Sequence, residues 1–272
     1  MGRQIRRYLQ SELKCVGKRT FILILGIFAC MVVLQLNSFG VWTCSLRESS
    51  FIGFFPDPTL RLSTADALLF GDEGVFRNML FNVAPLAHAL FFPVIATCIV
   101  PRFVSSSFVG EPWELSEARG GKRACVIAAR ATLSSLVLLG AFILSSVVLY
   151  GLNCAIVSDA QQHFNLDLFC YRLLLASAVC FAYTVSCVIV VSYCGSGFGP
   201  IGMLLLINVV MIYIQLGANA MLPVPSSMLM WICGVTPLGD GQCVSILIDC
   251  TIYVASVFAI CFTVDRLRSR FL

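Results

Sequence analysis

The feature that most constrains the fold of this chain is a series of six runs of about 20 mostly apolar residues. A helix rises about 1.5 Å per residue, so about 20 residues cross a hydrocarbon layer of about 30 Å. Lipid offers no partner for an open backbone, so each run is predicted to be a helix. The predicted spans cover about 21–41, 79–100, 131–149, 173–191, 199–216 and 244–264.

The composition excludes most other classes of protein. Hydrophobic residues make up 59% of the 272 residues and charged residues only 12%, whereas a soluble domain carries about 25% charged residues. An ordinary soluble enzyme, a disordered chain and a nucleic-acid-binding protein are therefore excluded. We expect an all-α integral membrane protein with six transmembrane helices, in which residues 1–272 form a single transmembrane domain.

The distribution of Lys and Arg predicts the orientation in the membrane. If the N-terminus is cytoplasmic, the inner segments hold 14 of the 18 basic residues. The outer segments hold the other four, among them Arg172 in the outer segment 150–172. Basic residues concentrate in cytoplasmic loops, so both termini are expected in the cytoplasm of a multi-pass protein of the cell membrane.

Two segments outside the spans are predicted to lie at the membrane surface. Residues 1–20 place Ile5, Leu9 and Val16 on one helix face between basic side chains, which is typical of an amphipathic helix in the headgroup plane. The alternative is a generic basic flank. Residues 218–241 are apolar but broken by three prolines. They favour re-entrant outer helices between spans 5 and 6 over a solvated loop or a full span.

The inner segment 101–130 is the most informative connection. Glu111, Trp113 and Glu114 precede a basic stretch that includes Arg123 and Arg130. Acidic residues at the start and basic residues at the end suit a short helix, because they complement its dipole. The alternative interpretation is a solvated inner loop.

Taken together, this order of parts resembles the membrane subunit of an ATP-binding cassette (ABC) transporter of the type-2 exporter class. That family begins with an interfacial elbow helix, which residues 1–20 match, and has six spans. Its first inner loop carries a Glu and then an Arg followed by a Lys seven positions later, at the start of span 3. Glu111 matches that Glu, Arg123 matches the Arg, and Arg130 stands in place of the Lys.

The resemblance implies a permease that exports a peptide, a lipid or a drug-like compound. The chain has no phosphate-binding loop of the form G-x-x-x-x-G-K-[ST]. By the resemblance, ATP is bound and hydrolysed by a separate cytosolic ABC ATPase subunit. The permease itself would hold no cofactor and catalyse no reaction. It would pair with a second permease subunit as a homodimer or heterodimer. Glu111, Trp113, Glu114, Arg123 and Arg130 would form the coupling region for the ATPase.

Polar residues within the predicted spans are candidates for lining a transport pathway. These candidates are Asn82, His88, Asn208, Gln215 and Asp249. The alternative for the neutral ones is a hydrogen bond to a neighbouring helix, and for His88 a packed position in the core. Asp249 carries a charge, which within a membrane usually faces protein or water. The alternative interpretation of Asp249 is a position close to the outer membrane–water interface.

The cysteines and the remaining functional classes complete the sequence-based picture. Most of the 14 cysteines lie in apolar runs and are interpreted as small apolar packing residues. No Cys/His cluster has the spacing of a metal site. Five cysteines near one membrane face are candidates for pairing: Cys44, Cys154, Cys170, Cys233 and Cys243. A secondary transporter, a membrane-embedded enzyme and a non-transporting scaffold are the competing hypotheses. The first lacks visible inverted repeats and the second lacks paired acidic residues within spans.

Overall fold

The computed structural model describes residues 82–104, 123–156, 165–194, 198–218, 222–233 and 240–271, with five further positions between 22 and 29. Within these residues the chain is helical throughout except for short turns, and no strand occurs. The expected interfacial helix at 1–20, the first outer loop, and Glu111, Trp113 and Glu114 lie outside the described residues.

From residue 84 onward, the described residues form one 3₁₀ helix and six α-helices. The 3₁₀ helix is Ala84–Phe91, and the α-helices are α1 (Phe92–Val104), α2 (Arg123–Ile156), α3 (Leu166–Cys194), α4 (Phe198–Ala218), α5 (Pro225–Ile232) and α6 (Asp240–Phe271). The 3₁₀ helix with α1 coincides with predicted span 2, and α2, α3, α4 and α6 coincide with predicted spans 3 to 6. Helix α5 lies in the segment that was expected to hold re-entrant helices.

The long helices extend beyond the predicted spans. Helix α2 has 34 residues and begins eight positions before the apolar run from which span 3 was predicted. The apolar run marks only the part of a helix that suits lipid. Polar residues such as Arg123 and Arg130 end that run without breaking the helix, since neither residue disfavours helical backbone.

Three of the described helices are long and apolar enough to cross a membrane, by length and composition. Their apolar parts are Cys125–Leu152, Leu166–Cys194 and Gly241–Leu267. Two shorter apolar helices, Pro85–Pro101 and Gly199–Ile214, accompany them. The chain therefore has the character of a helical membrane protein, whereas the number of six spans and their orientation stay predictions.

Two prolines explain the change of helix type before α1. Pro85 lies in the first turn of the 3₁₀ helix, and Pro93 lies in the first turn of α1. Proline lacks a backbone N–H and its ring crowds the carbonyl four residues earlier, so a regular α-helix cannot run through both positions. The tighter 3₁₀ segment between them carries His88 on its inner side, where only 3% of this side chain is exposed.

Helix α3 forms the centre of the bundle. It packs against α1, α2, α4, α5 and α6. Of its most apolar stretch 72% is buried, compared with 22% in α6. The outward faces of α4 and α6 are apolar, with Met203, Tyr213 and Ile260 at least 60% exposed. Exposure of such apolar faces to water is unfavourable, whereas contact with hydrocarbon is not, so these faces suit contact with lipid.

Candidate functional site

The short helix α5 is the part of the structure in which predicted and unpredicted polar residues meet. Pro225 lies in its first turn and Val224 before it is extended, a combination that starts a helix with a fixed proline φ angle. The preceding turn is closed by the Leu222 backbone N–H, which donates to Ser227 Oγ at 2.8 Å. Met228, Leu229 and Ile232 are fully buried, so α5 is packed into the bundle rather than held in solvent.

Asn208 of α4 holds the first turn of α5. Its Nδ2 donates to the Leu204 carbonyl at 2.9 Å and to the Tyr253 phenol oxygen at 3.1 Å. Its Oδ1 accepts from the backbone N–H of Ser226 at 3.3 Å and from Ser226 Oγ at 3.1 Å. The amide thus uses both donor hydrogens and both acceptor sites. One fully buried side chain therefore joins α4, α5 and α6.

Arg172 of α3 holds the other end of α5. Its Nη1 donates to the carbonyl oxygen of Ile232, the last residue of α5, at 2.7 Å. None of the Arg172 side chain is exposed. The carbonyl end of a helix carries partial negative charge, so a guanidinium there is electrostatically favourable. Next to it, Cys233 Sγ donates to the Leu86 carbonyl at 3.3 Å, which ties the same end of α5 to the 3₁₀ helix.

The sequence interpretation assigned Arg172 to an outer loop, and the structure places it inside α3 instead. The helix begins at Leu166, six residues before the arginine. An arginine next to an apolar run usually reaches the headgroups, so the inward position of Arg172 could not be predicted. Ser226 and Tyr253 were also missed, because a serine or tyrosine near an apolar run carries no signal of a specific partner.

His88 lies in a separate polar cluster between the 3₁₀ helix and α2. Its Nε2 is 2.8 Å from Ser145 Oγ and 3.4 Å from Ser146 Oγ. Both hydroxyls donate to the Phe142 carbonyl, at 2.8 and 2.9 Å. Which of these atoms donates depends on the tautomer of the imidazole. The rings of Phe142 and Phe28 pack on the imidazole, with centroids 5.0 and 6.3 Å away.

Asn82 positions the start of α3. Its Oδ1 accepts from the backbone N–H of Asn165 at 2.7 Å. Asn165 in turn caps α3, since its Oδ1 accepts from the Leu168 N–H at 3.1 Å. Asn82 is fully buried, so this contact orders the entry of the chain into the central helix.

The predicted pathway residues are distributed over several places. Asn82, His88 and Asn208 each bond a different neighbouring segment, which is how neutral polar side chains hold membrane helices together. Asp249 is half-buried on α6, and its Oδ2 accepts from Ser245 Oγ of the same helix at 3.4 Å. Gln215 lies in α4, but its side chain is outside the described part.

The predicted coupling residues are described only in α2. Arg123 is the first residue of that helix, and Arg130 is partly buried seven positions later, so both occupy one helix face. Among the described residues, no group of three or more His, Cys, Asp or Glu side chains can hold a metal ion. Cys154, Cys170, Cys233 and Cys243 are free thiols, while Cys44 lies outside the described residues.

Comparison with known proteins does not assign the chain to a family. No protein-family model, no curated protein and no solved structure matches it.

Proposed function

We propose that the chain is the membrane-spanning permease subunit of an ABC transporter of the exporter class, with six spans and both termini in the cytoplasm. The sequence order of parts supports this proposal, and so do the helices found at the positions of predicted spans 2 to 6. The observation that carries it is α5. This helix of 8 residues lies between the last two long helices, is too short to cross a bilayer, and is buried against α3.

In this proposal α5 closes the outer end of the transport pathway. At about 1.5 Å per residue it reaches only about 12 Å, so the chain enters and leaves it on the same side of the membrane. Asn208 and Arg172 hold its two ends from two different long helices. A change in the distance between α3 and α4 would therefore pull on both ends of α5, and this couples the outer closure to the movement of the long helices.

The energy would come from a partner chain. The inner segment docks on a cytosolic ATPase through Glu111, Trp113 and Glu114. The start of α2 is held at the headgroup level by Arg123 and Arg130. ATP is bound by that partner, and a second permease subunit completes the transporter. Peptides, lipids and drug-like compounds are the substrate classes that the resemblance implies.

Co-purification tests the proposal most directly. The full-length chain, carrying an affinity tag, is extracted from its native membrane in mild detergent. We expect a stoichiometric ATPase subunit with a phosphate-binding loop in the eluate. The matched control is the Trp113→Ala variant, which should appear in the eluate without the ATPase. If the wild-type chain elutes without an ATPase and moves substrate in response to an ion gradient, it is a secondary transporter and the proposal is wrong.

A further inference from the structure

The last turns of α6 combine a guanidinium with a group of aromatic rings. The guanidinium carbon of Arg266 lies 4.8 Å from the centre of the Phe262 ring. Phe262 stacks on Phe258 one turn earlier, with ring centroids 6.0 Å apart. Tyr193 of α3 packs edge-on against both phenylalanines, with centroid distances of 5.8 and 6.5 Å. These four side chains from two helices form one contiguous cluster, which we call the α6 cluster.

The α6 cluster has the features of a boundary between hydrocarbon and lipid headgroups. Helix α3 ends at Cys194, directly after Tyr193, and tyrosine is enriched at that boundary. Arg266 is exposed and lies one turn of α6 beyond Phe262, about 6 Å farther along the helix axis. In a bilayer, its guanidinium would therefore lie at the level of the lipid phosphates, beyond the end of the neighbouring helix.

Charge is distributed unevenly along this helix. Residues 250–264 contain no charged side chain, whereas residues 265–272 hold three arginines and one aspartate. Helix α6 continues to Phe271, so all three arginines belong to its final turns. A guanidinium matches a pair of phosphate oxygens with two parallel N–H donors. The end of α6 is therefore complementary in charge to an anionic headgroup.

The side of α6 that leads to Arg266 is apolar and open. Four exposed residues lie within about 40° of Arg266 around the helix axis, namely Ile252, Ala255, Ala259 and Phe262. From Phe262 back to Ile252 the helix covers about 15 Å, which is half the thickness of a hydrocarbon core. The two alanines leave room beside the phenylalanine rings. This side of the helix thus has the length and the chemistry to accompany one acyl chain through one leaflet.

We infer that the end of α6 is a binding site for an anionic phospholipid. Arg266 binds the phosphate, and its contact with Phe262 holds the guanidinium in place. The acyl chain lies along Ala255 and Ala259, beside the phenylalanine rings. An anionic lipid is favoured over a zwitterionic one because the three arginines outnumber the single aspartate. In the proposed orientation the site faces the cytoplasmic leaflet, where anionic lipids are concentrated.

Quenching of tryptophan fluorescence by brominated lipid tests the inference. In the full-length chain Trp42, Trp113 and Trp231 are replaced with phenylalanine, and Phe258→Trp introduces a single tryptophan about 12 Å along the axis from Arg266. Bromine atoms in the middle of an acyl chain reach this depth. The purified protein is reconstituted into mixed vesicles of phosphatidylglycerol and phosphatidylcholine, in which either one or the other lipid is brominated. We expect phosphatidylglycerol to be preferred about fivefold at this position, from the attraction of one basic residue.

The matched control is Leu206→Trp in the same tryptophan-free background. Leu206 is exposed on α4, about 12 Å from the first residue of that helix, and Phe198–Ala218 contains no charged residue. The two lipids should therefore quench equally there. In the Phe258→Trp protein, Arg266→Gln should reduce the preference toward that of the control, while Arg266→Lys should keep part of it.

The inference is wrong if both tryptophan positions show the same preference, or if Arg266→Gln leaves the preference unchanged. Absence of quenching by either lipid would show that protein covers this side of α6, and it would refute the site as well. The comparison of the two tryptophan positions needs no arginine variant, so a variant that fails to fold does not affect it. Neither substrate nor ATPase is present, so the outcome is independent of the proposed transport function.

Discussion

At the scale of single residues, two buried side chains give α5 its position. Asn208 satisfies all of its hydrogen-bonding groups inside the protein, and Arg172 places a cation at a helix end where the backbone dipole is negative. The sequence identified Asn208 as a polar residue of a span. It did not reveal the partners, because Ser226 and Tyr253 are 18 and 45 positions away, and helix periodicity carries no information at such separations.

Replacing Asn208 with leucine should destabilise the bundle. Leucine keeps the approximate volume but leaves the Ser226 N–H and the Tyr253 hydroxyl without their partner, and each buried unsatisfied group costs about 1–3 kcal/mol. We expect the free energy of unfolding to fall by about 2–5 kcal/mol, measured by thermal unfolding in detergent. The control is Thr251→Val, which removes an exposed hydroxyl bonded only within its own helix. An Asn208→Leu variant as stable as this control would contradict the role of Asn208.

Replacing Arg172 with methionine should release the end of α5. A hydrogen bond from a charged group contributes about 1.5–3 kcal/mol. Removing the guanidinium also removes the cost of burying its charge, which partly offsets the lost hydrogen bond in the free energy of unfolding. The effect on the end of α5 should therefore exceed the change in global stability. A cysteine introduced at Trp231, in a background lacking native cysteines, should therefore react with a thiol reagent about 10- to 100-fold faster. Arg172→Lys, which keeps a cationic donor, should show a smaller increase. Equal labelling rates in all three proteins would show that Arg172 does not hold α5.

At the scale of helices, five of the six apolar runs coincide with described helices. Apolar runs of about 20 residues are long enough to fix a helix in lipid, and helices occupy the positions of predicted spans 2 to 6. The helices extend beyond the predicted spans, because polar residues can continue a helix past its apolar part. The 3₁₀ segment between Pro85 and Pro93 could not be predicted from the sequence, since proline disfavours a regular helix without specifying what replaces it.

Residues 221–231 should differ in their accessibility from the outer side of the membrane. Single cysteines are placed along 221–231 in a cysteine-free background and exposed to a membrane-impermeant thiol reagent. We expect fast labelling at Pro223, which is exposed, and slow labelling at Met228 and Leu229, which are fully buried. Uniformly fast labelling along the segment would instead indicate an ordinary aqueous loop.

The inner segment should carry the coupling to the ATPase. Interface energy concentrates in a few anchor residues, among which Trp and Arg are enriched, so Trp113→Ala should weaken docking by about 2 kcal/mol or more. Glu111→Ala should act mainly by leaving a cation of the partner unpaired. Both variants should insert normally but lose substrate-stimulated ATP hydrolysis and transport. If Trp113→Ala leaves association and transport unchanged, coupling must be sought in residues 1–20.

At the scale of the whole molecule, the orientation depends on the uneven distribution of Lys and Arg. Reporter fusions test it: a fusion after Leu272 should read as cytoplasmic, and an insertion within 157–164 as external. Arg172 was counted among the outer basic residues, yet the structure buries it in α3. Removing it from that count strengthens the asymmetry. An external C-terminus would refute both the orientation and the proposed permease.

The contact between Arg172 and Ile232 also has a consequence for how the protein is made. The two residues are 60 positions apart, and ribosomes add about 5–20 residues per second. The arginine of α3 is therefore synthesised roughly 3–12 s before its carbonyl partner exists. During that interval the guanidinium lacks this carbonyl, and a charged side chain is costly in hydrocarbon. In the proposed topology we therefore expect α3 to reach its final depth only after α5 has been synthesised.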